Sequence, residues 1–401
     1  NNGAICEYHL IEETGGKCIM QETKMDIRTE KALMKEQIAS HLDQVILPFW
    51  EALRDDEFGG FYGYMDIDLK LDKKAVKGCI LNNRILWFFS NAYLTLKRPE
   101  LLSYAKHAYE FLKNACLDRE YGGVYWSVTF DGKPEEDMKH TYNQAFAIYA
   151  LSSYYDASGD KEALDIAWSI YNVIEAHCKD DKGYLEAFDR NFQPVSNEKL
   201  SENGVMAEKT MNTLLHVFEG YTELYRVTKE KKVSENLRWM LDIFASKVYN
   251  PDKKRQEVFF DKDWNTLIDL YSYGHDIETS WLIDRGLEIL DDPEVTKKLS
   301  PITDVLAEQI YKIAYIDQAE SVLGFMNYYE KHPEKTEYFT AAKDIWAYIE
   351  EYLTDKHPGS EWFWSLDENR QPASRQPIVE PWKCPYHNGR MCFEMIHRLS
   401  K

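Results

Sequence analysis

Gly59-Gly60-Phe61-Tyr62-Gly63-Tyr64 is the stretch on which the reading of this chain turns. Small residues give way to aromatics in alternation, which reads as a short strand beside a turn. The theme returns in Gly122-Gly123-Val124-Tyr125-Trp126, Gly183-Tyr184-Leu185-Glu186-Ala187-Phe188, Val258-Phe259-Phe260-Asp261 and Glu361-Trp362-Phe363-Trp364. The first three begin at residues 59, 122 and 183, and a theme recurring at near-constant spacing marks a repeated structural unit.

Between these stretches the apolar residues follow helical spacing. Ile80, Leu81, Ile85, Phe88, Phe89, Ala92 and Tyr93 form one such series, and Met211, Leu214, Leu215, Phe218, Tyr221 and Tyr225 another. Segments 146–156, 162–176, 234–248 and 336–353 repeat the pattern. Each unit therefore holds two helices and one aromatic hairpin. Helix pairs cannot bury their faces alone, so they extend as a solenoid or close into a ring. The long aromatic loops favour an all-α ring with the loops gathered at one mouth. The interval from Val258 to Glu361 is too long for one unit and too short for two, so a ring of six pairs would lack a hairpin near Ala314 to Asp317.

Bulk properties exclude several functions. The net charge of -20 repels a phosphate backbone, so nucleic acid is not an expected partner. Charges are interspersed along helix faces, and no apolar run is long enough to span a membrane. Residues 1–26 are polar and read as an N-terminal extension, in part foreign to the domain. They lack the basic start and apolar stretch of a secretory signal. Residues 27–401 read as a single domain, with a split near Pro293 as the rival reading. Seven widely spaced cysteines without a CxxC fit reduced, buried thiols and a cytoplasmic location.

Four histidines stand in unusual settings, whereas His9, His107, His177, His332 and His357 read as exposed. Asn212, His216, Glu219 and Glu223 form one stripe beside an apolar helix face, either solvated or lining a cavity. His275 and Glu278 are three apart in Ser272-Tyr273-Gly274-His275-Asp276-Ile277-Glu278, so the carboxylate could fix the imidazole tautomer. The same pair could ligate a metal, but no further ligand cluster accompanies it, and none is expected. His387 follows Trp382-Lys383-Cys384-Pro385-Tyr386, a tight loop leading into the last helix. The Cys384-x-x-His387 pair lacks the other half of a zinc site. His140 reads as a helix cap. Arg84 opens an apolar helix, as either a buried ion pair or an anion-stabilising group. No phosphate-binding glycine loop, dinucleotide fingerprint or serine elbow is present.

Asn83-Arg84-Ile85-Leu86-Trp87, Lys209-Thr210-Met211-Asn212 with His216, the Ser272–Glu278 run and Trp382 to Arg390 together resemble the signatures of the cellobiose 2-epimerases, within the N-acylglucosamine 2-epimerase superfamily. The resemblance covers residues 27 to 401. It implies an (α/α)6 barrel that inverts C2 of the reducing-end sugar of a disaccharide, cellobiose to glucosylmannose or lactose to epilactose. No cofactor is implied, and the expected form is a monomer or weak homodimer. By resemblance, His275 and His387 are the acid–base pair and His216 binds and protonates sugar oxygens. Arg84 faces the enediolate, Asn212, Tyr142 and Glu278 lie at or near the sugar, and Trp382 stacks on its distal ring. One departure concerns a longer segment with a Trp-Trp pair, which the family carries just before the part matching Gln318-Ala319-Glu320. Here the chain runs Ile313-Ala314-Tyr315-Ile316-Asp317-Gln318, and the expectation is a mobile loop missing from the sequence. Rival readings are an isomerase or epimerase of a monosaccharide such as mannose or N-acylglucosamine, a glycoside hydrolase, and a non-catalytic carbohydrate-binding protein.

Overall fold

In the computed structural model, residues 26–198, 204–313, 319–373 and 375–401 are described. The expected missing loop at Ala314–Gln318 and nearly all of the N-terminal extension, with Cys6, His9 and Cys18, lie outside them. The chain alternates outer and inner helices. α1 (Ile27–His41) and α2 (Leu47–Ala52) form the first outer element and α3 (Cys79–Leu96) the first inner one. There follow α4 (Pro99–Phe111) and α5 (Thr141–Ser158), α6 (Lys161–Val173) and α7 (Met211–Thr228), then α8 (Lys231–Ile243) and α9 (Tyr273–Leu290). The last two pairs are α10 (Pro293–Ile313) with α11 (Ala319–Lys331) and α12 (Thr336–Tyr348) with α13 (His387–Arg398).

The inner helices touch in the order α3, α5, α7, α9, α11, α13, and α13 returns to α3. This closed ring is the (α/α)6 barrel, with the outer helices packed around it. Closure depends on small residues. A Cβ on Gly389 of α13 would come within 2.5 Å of the Phe88 ring on α3, and one on Gly324 of α11 within 2.3 Å of Ile277 on α9. Backbones that approach this closely leave no room for a side chain.

The repeat is more regular than the sequence suggested. α3, α5, α7 and α9 are each 18 residues long, and each ends on a left-handed residue, Lys97, Gly159, Lys229 or Asp291. Its N–H bonds the carbonyl four residues back, which stops the helix. Outer helices α1, α4, α6, α8 and α12 each run into a five-residue π turn, a feature that apolar spacing does not reveal. The aromatic stretches that follow are shorter than strands. They make single bridges, such as Arg54 to Phe61, Leu117 to Val124 and Thr354 to Trp362, or two-residue ladders such as Lys209–Thr210 with Phe259–Phe260.

A buried lysine ties three of these hairpins to the inner ring. Lys77, Lys139 and Lys209 stand just before α3, α5 and α7, and none exposes its side chain. They pair with Asp55, Asp118 and Asp180 at 2.6, 3.0 and 2.6 Å. Each ammonium also donates to a hairpin carbonyl, Gly59, Gly122 and Lys262 in turn. The hairpins are thereby fixed at the mouth where the inner helices begin. The five described cysteines are buried and unpaired. No helix among the described residues is long and apolar enough to cross a membrane.

Candidate active site

All six inner helices start at the same mouth, so residues in their first turns converge. A cavity of about 620 Å³ opens there, lined by Ser272, His275 and Glu278 of the α9 region, Glu320 of α11, His387 of α13 and Trp382 and Cys384 of the loop before it. Trp362 and Trp364 from the fifth aromatic stretch form its far wall. A larger hollow of about 930 Å³ lies at the opposite end of the ring. Several of its charges pair with one another, Arg285 with Glu394, Lys331 with Asp284 and Arg398 with Glu330, and His397 is the one histidine among the described residues that line it.

Three imidazoles meet at the mouth, each with Nδ1 tied to the protein. His216 Nδ1 is 2.9 Å from Glu219, His387 Nδ1 is 2.8 Å from Glu320, and His275 Nδ1 is 2.7 Å from Ser272 Oγ. An ionised carboxylate only accepts, so the first two rings carry their hydrogen on Nδ1 and keep Nε2 for a ligand. Burial and the neighbouring rings of His216 and His387 lower His275 to about 4. Burial also lowers His216, against the pull of Glu219.

Arg390, on the first turns of α13, organises the carboxylates beneath. It donates to Glu219 at 2.6 Å, to Glu320 at 2.6 Å, and to Glu278. Burial opposes ionisation of Glu219 and Glu320, but Arg390 and the adjoining histidines hold both down at about 2. Glu278 moves the other way, raised by burial and by Glu320. Three carboxylates share one guanidinium, so the third is the one driven towards protonation. Glu278, Glu320 and His387 could offer ligand atoms within 4.8 Å of one another. Arg390 already supplies the positive charge there, so this donor set does not fit a cation.

Arg84 forms the second half of the site. It is buried on α3, donates to Tyr142 Oη at 2.6 Å, and contacts Cys384 Sγ at 3.7 Å. Its guanidinium lies over the rings of Phe146 and Tyr386, at 4.2 and 4.8 Å from their centroids. Among the described residues no carboxylate pairs with it, and its Nε has no partner. The ion-pair alternative for Arg84 is therefore not what the structure contains. Tyr142 stands edge-on to His216, with centroids 4.9 Å apart, and 6.1 Å from Trp382. Asn212 lies one turn before His216, with its Oδ1 buried and unpartnered.

Several expectations need correction. Glu278 does not hold His275; it reaches Arg390, and the hydroxyl of Ser272 takes its place. The stripe on α7 is buried except for the half-buried Asn212, and it splits along its length. Asn212 and His216 face the mouth, Glu219 turns to Arg390, and Glu223 pairs with Arg226 at the far end. His107 is half-buried against the Gly60 carbonyl, and His332 is half-buried beside Asp304. Cys384 faces Arg84 rather than a metal position. His140 occupies the cap position of α5 without a side-chain capping bond. Sequence reasoning gave no role to Glu320, Arg390, Tyr386 or Ser272. The position of Arg390, three residues after His387 on one helix face, was the available signal.

An inner ring whose helix starts converge on imidazoles and buried carboxylates defines this chain as an (α/α)6-barrel protein with a titratable mouth. A family model described as N-acylglucosamine 2-epimerase (GlcNAc 2-epimerase) matches residues 60–314. The chain is 50% identical to the cellobiose 2-epimerase of Eubacterium cellulosolvens, over 91% of this chain and 98% of that one. It is 49% identical to the cellobiose 2-epimerase of Ruminococcus albus, over 91% and 99%. A crystal structure of a sugar epimerase from a ruminal bacterium superposes with a TM-score of 0.89 at 49% identity, covering 91% of this chain and 99% of that one. The chain belongs to the N-acylglucosamine 2-epimerase family and is a carbohydrate epimerase of the isomerase class.

Proposed function

We propose that the protein inverts C2 of the reducing-end sugar of β-1,4-linked disaccharides, converting cellobiose to glucosylmannose and lactose to epilactose without a cofactor. The observation that carries this reading is the pairing of three Nδ1-anchored imidazoles with a buried guanidinium that has no carboxylate partner among the described residues. The first set moves protons, and the second meets a developing anion.

The sugar ring opens, and the C1 carbonyl acidifies the C2 proton. His275, kept neutral by burial, takes that proton through Nε2. Negative charge spreads over an enediolate, and Arg84 with Tyr142 donates to its oxygens. Aimed donors in a water-poor site favour such an anion strongly. His387 returns a proton to the opposite face of C2, its ring held by Glu320. The two rings exchange roles in the reverse direction. Positioned acid–base groups of this kind supply about 10²–10⁴-fold in rate. His216 and Asn212 bind the sugar oxygens, Glu278 lies beside them, and Trp382 stacks on the distal ring.

The test is incubation with cellobiose in D2O, with chelator and no added cofactor, followed at C2 by NMR. Glucosylmannose carrying deuterium at C2, lost in His275→Ala and His387→Ala, is the expected result. Absence of exchange from folded protein would overturn the cellobiose assignment, and exchange with mannose alone would move the substrate to a monosaccharide.

A further inference from the structure

Ser272 is the N-cap residue of α9, and it does not cap. Asp26, Asp160 and Thr210 occupy the same position on α1, α6 and α7, and each accepts from a backbone N–H of its own first turn. Such a bond is worth about 1 kcal/mol to a helix. Ser272 forgoes it, and its hydroxyl lies 2.7 Å from His275 Nδ1 instead. A capping residue that leaves its own helix uncapped has another use for its side chain.

The choice of a hydroxyl is chemically specific. His216 and His387 each hold a carboxylate at Nδ1, but His275 does not. A carboxylate at Nδ1 favours the charged ring, whereas a neutral hydroxyl accepts the Nδ1 hydrogen without adding charge. Other groups facing His275 are His216 from α7, His387 from α13 and Glu320 from α11, with Glu278 one turn on along its own helix. Among the described residues, Ser272 is the one that bonds the ring.

We propose that Ser272 is a positioning residue whose hydroxyl fixes the ring of His275 with Nε2 unprotonated towards the cavity, so that the mouth holds one uncharged base beside carboxylate-backed imidazoles. This rests on the assignment of His275 to the acid–base pair. A hydroxyl serves both directions of the reaction. It accepts from Nδ1–H while the ring is neutral, and it still accepts after Nε2 has taken the C2 proton.

The test combines two readouts on wild type, Ser272→Ala, Ser272→Thr and Ser272→Asp. The first is the pH titration of the His275 imidazole by NMR in protein labelled at histidine, without substrate. The second is the pH profile of kcat/KM for C2 deuteration of cellobiose. Asp caps helices as well as Ser does, so Ser272→Asp should fold. It should raise the pH at which His275 titrates and move the acidic limb of kcat/KM upward by about one pH unit. Ser272→Ala should lose about tenfold in kcat with KM nearly unchanged, the scale of one hydrogen bond made to the reacting ring. Ser272→Thr should restore both readouts. An unmoved His275 titration in Ser272→Asp, or wild-type kcat in Ser272→Ala, would overturn the proposal. The titration needs no substrate, so an inactive wild type with a shifted His275 in Ser272→Asp would reject the substrate assignment and leave the role of Ser272 standing.

Discussion

Glu320 Oε1 accepts from His387 Nδ1 at 2.8 Å and from Arg390 at 2.6 Å, so one buried oxygen orients the ring of His387 and neutralises the guanidinium behind it. Its other oxygen takes the Trp281 indole N–H at 2.9 Å. Glu320→Gln keeps the shape but places an uncharged amide against the imidazole, while Arg390 keeps its pairs with Glu219 and Glu278. The expected outcome is a fall in kcat of about 10²-fold, within the range for losing the orienting partner of a functional histidine. KM for cellobiose should change far less. Steady-state kinetics decide it, and a kcat within about threefold of wild type would show that Glu320 does not act through His387.

Arg84 is expected to trade stability for chemistry. Its guanidinium is buried on Phe146 and Tyr386 and pairs with no carboxylate among the described residues, an arrangement that costs the fold stability. Arg84→Met preserves much of the packing volume and removes the lone cation. The melting temperature should stay level or rise, while kcat/KM drops by about 10²–10³-fold, the cost of removing one donor from a developing oxyanion. Parallel calorimetry and kinetics test this. A large drop in melting temperature would make Arg84 a structural residue instead.

The ring was legible because its cause is periodic. Apolar spacing located α3, α5, α6, α7, α8 and α12, and the aromatic stretches marked the mouth at which the inner helices start. The π turns were not legible, since one inserted residue barely disturbs an amphipathic pattern. At the site, turn residues in the local context singled out His275 and His387, the resemblance alone brought in Trp382, and all three line the cavity. Their partners were hidden for a physical reason. Glu320 meets His387 across 67 positions and Arg390 meets Glu219 across 171, so the pairings exist only once the ring has closed. Where a partner seemed local, proximity misled. Glu278 shares a helix face with His275, yet the stronger pull of the buried Arg390 takes it away.

The repeated Lys–Asp ties should differ in importance. Lys77 is the sole ion-pair partner of Asp55 among the described residues, and both are almost wholly buried. Asp118 has Lys139 and, in addition, Arg190 at 2.9 Å. Lys77→Met leaves a buried carboxylate uncompensated and should cost about 3–5 kcal/mol, whereas Lys139→Met should cost clearly less because Arg190 remains. Urea unfolding of the two variants gives the comparison, and equal losses would contradict it.

Two buried, neutral histidines should make part of the stability acid-sensitive. Trp362 Nε1 donates to His41 Nε2 at 2.7 Å, which only an unprotonated Nε2 can accept. Burial, with a smaller push from Lys356, lowers His41 from 6.5 to about 4, and His275 is lowered to the same value. Both groups bind a proton more readily in the unfolded chain, so the unfolded state takes up protons between these limits and the folded state does not. The contribution of these two histidines should therefore be level above pH 6.5 and decline as the pH falls towards 4, by about 3 kcal/mol for each fully realised shift, against the opposite trend of Glu186 and Asp276, which burial raises to about 7. The paired carboxylates Glu219 and Glu320, held at about 2, surrender their contribution only at lower pH, as it falls from their ordinary range towards that value. His41→Gln can still accept from Trp362 but does not titrate. Unfolding free energies measured from pH 7 to 4 should consequently fall less, or rise more, in this variant than in wild type, and an unchanged pH dependence would show that His41 takes up no proton on unfolding in this window.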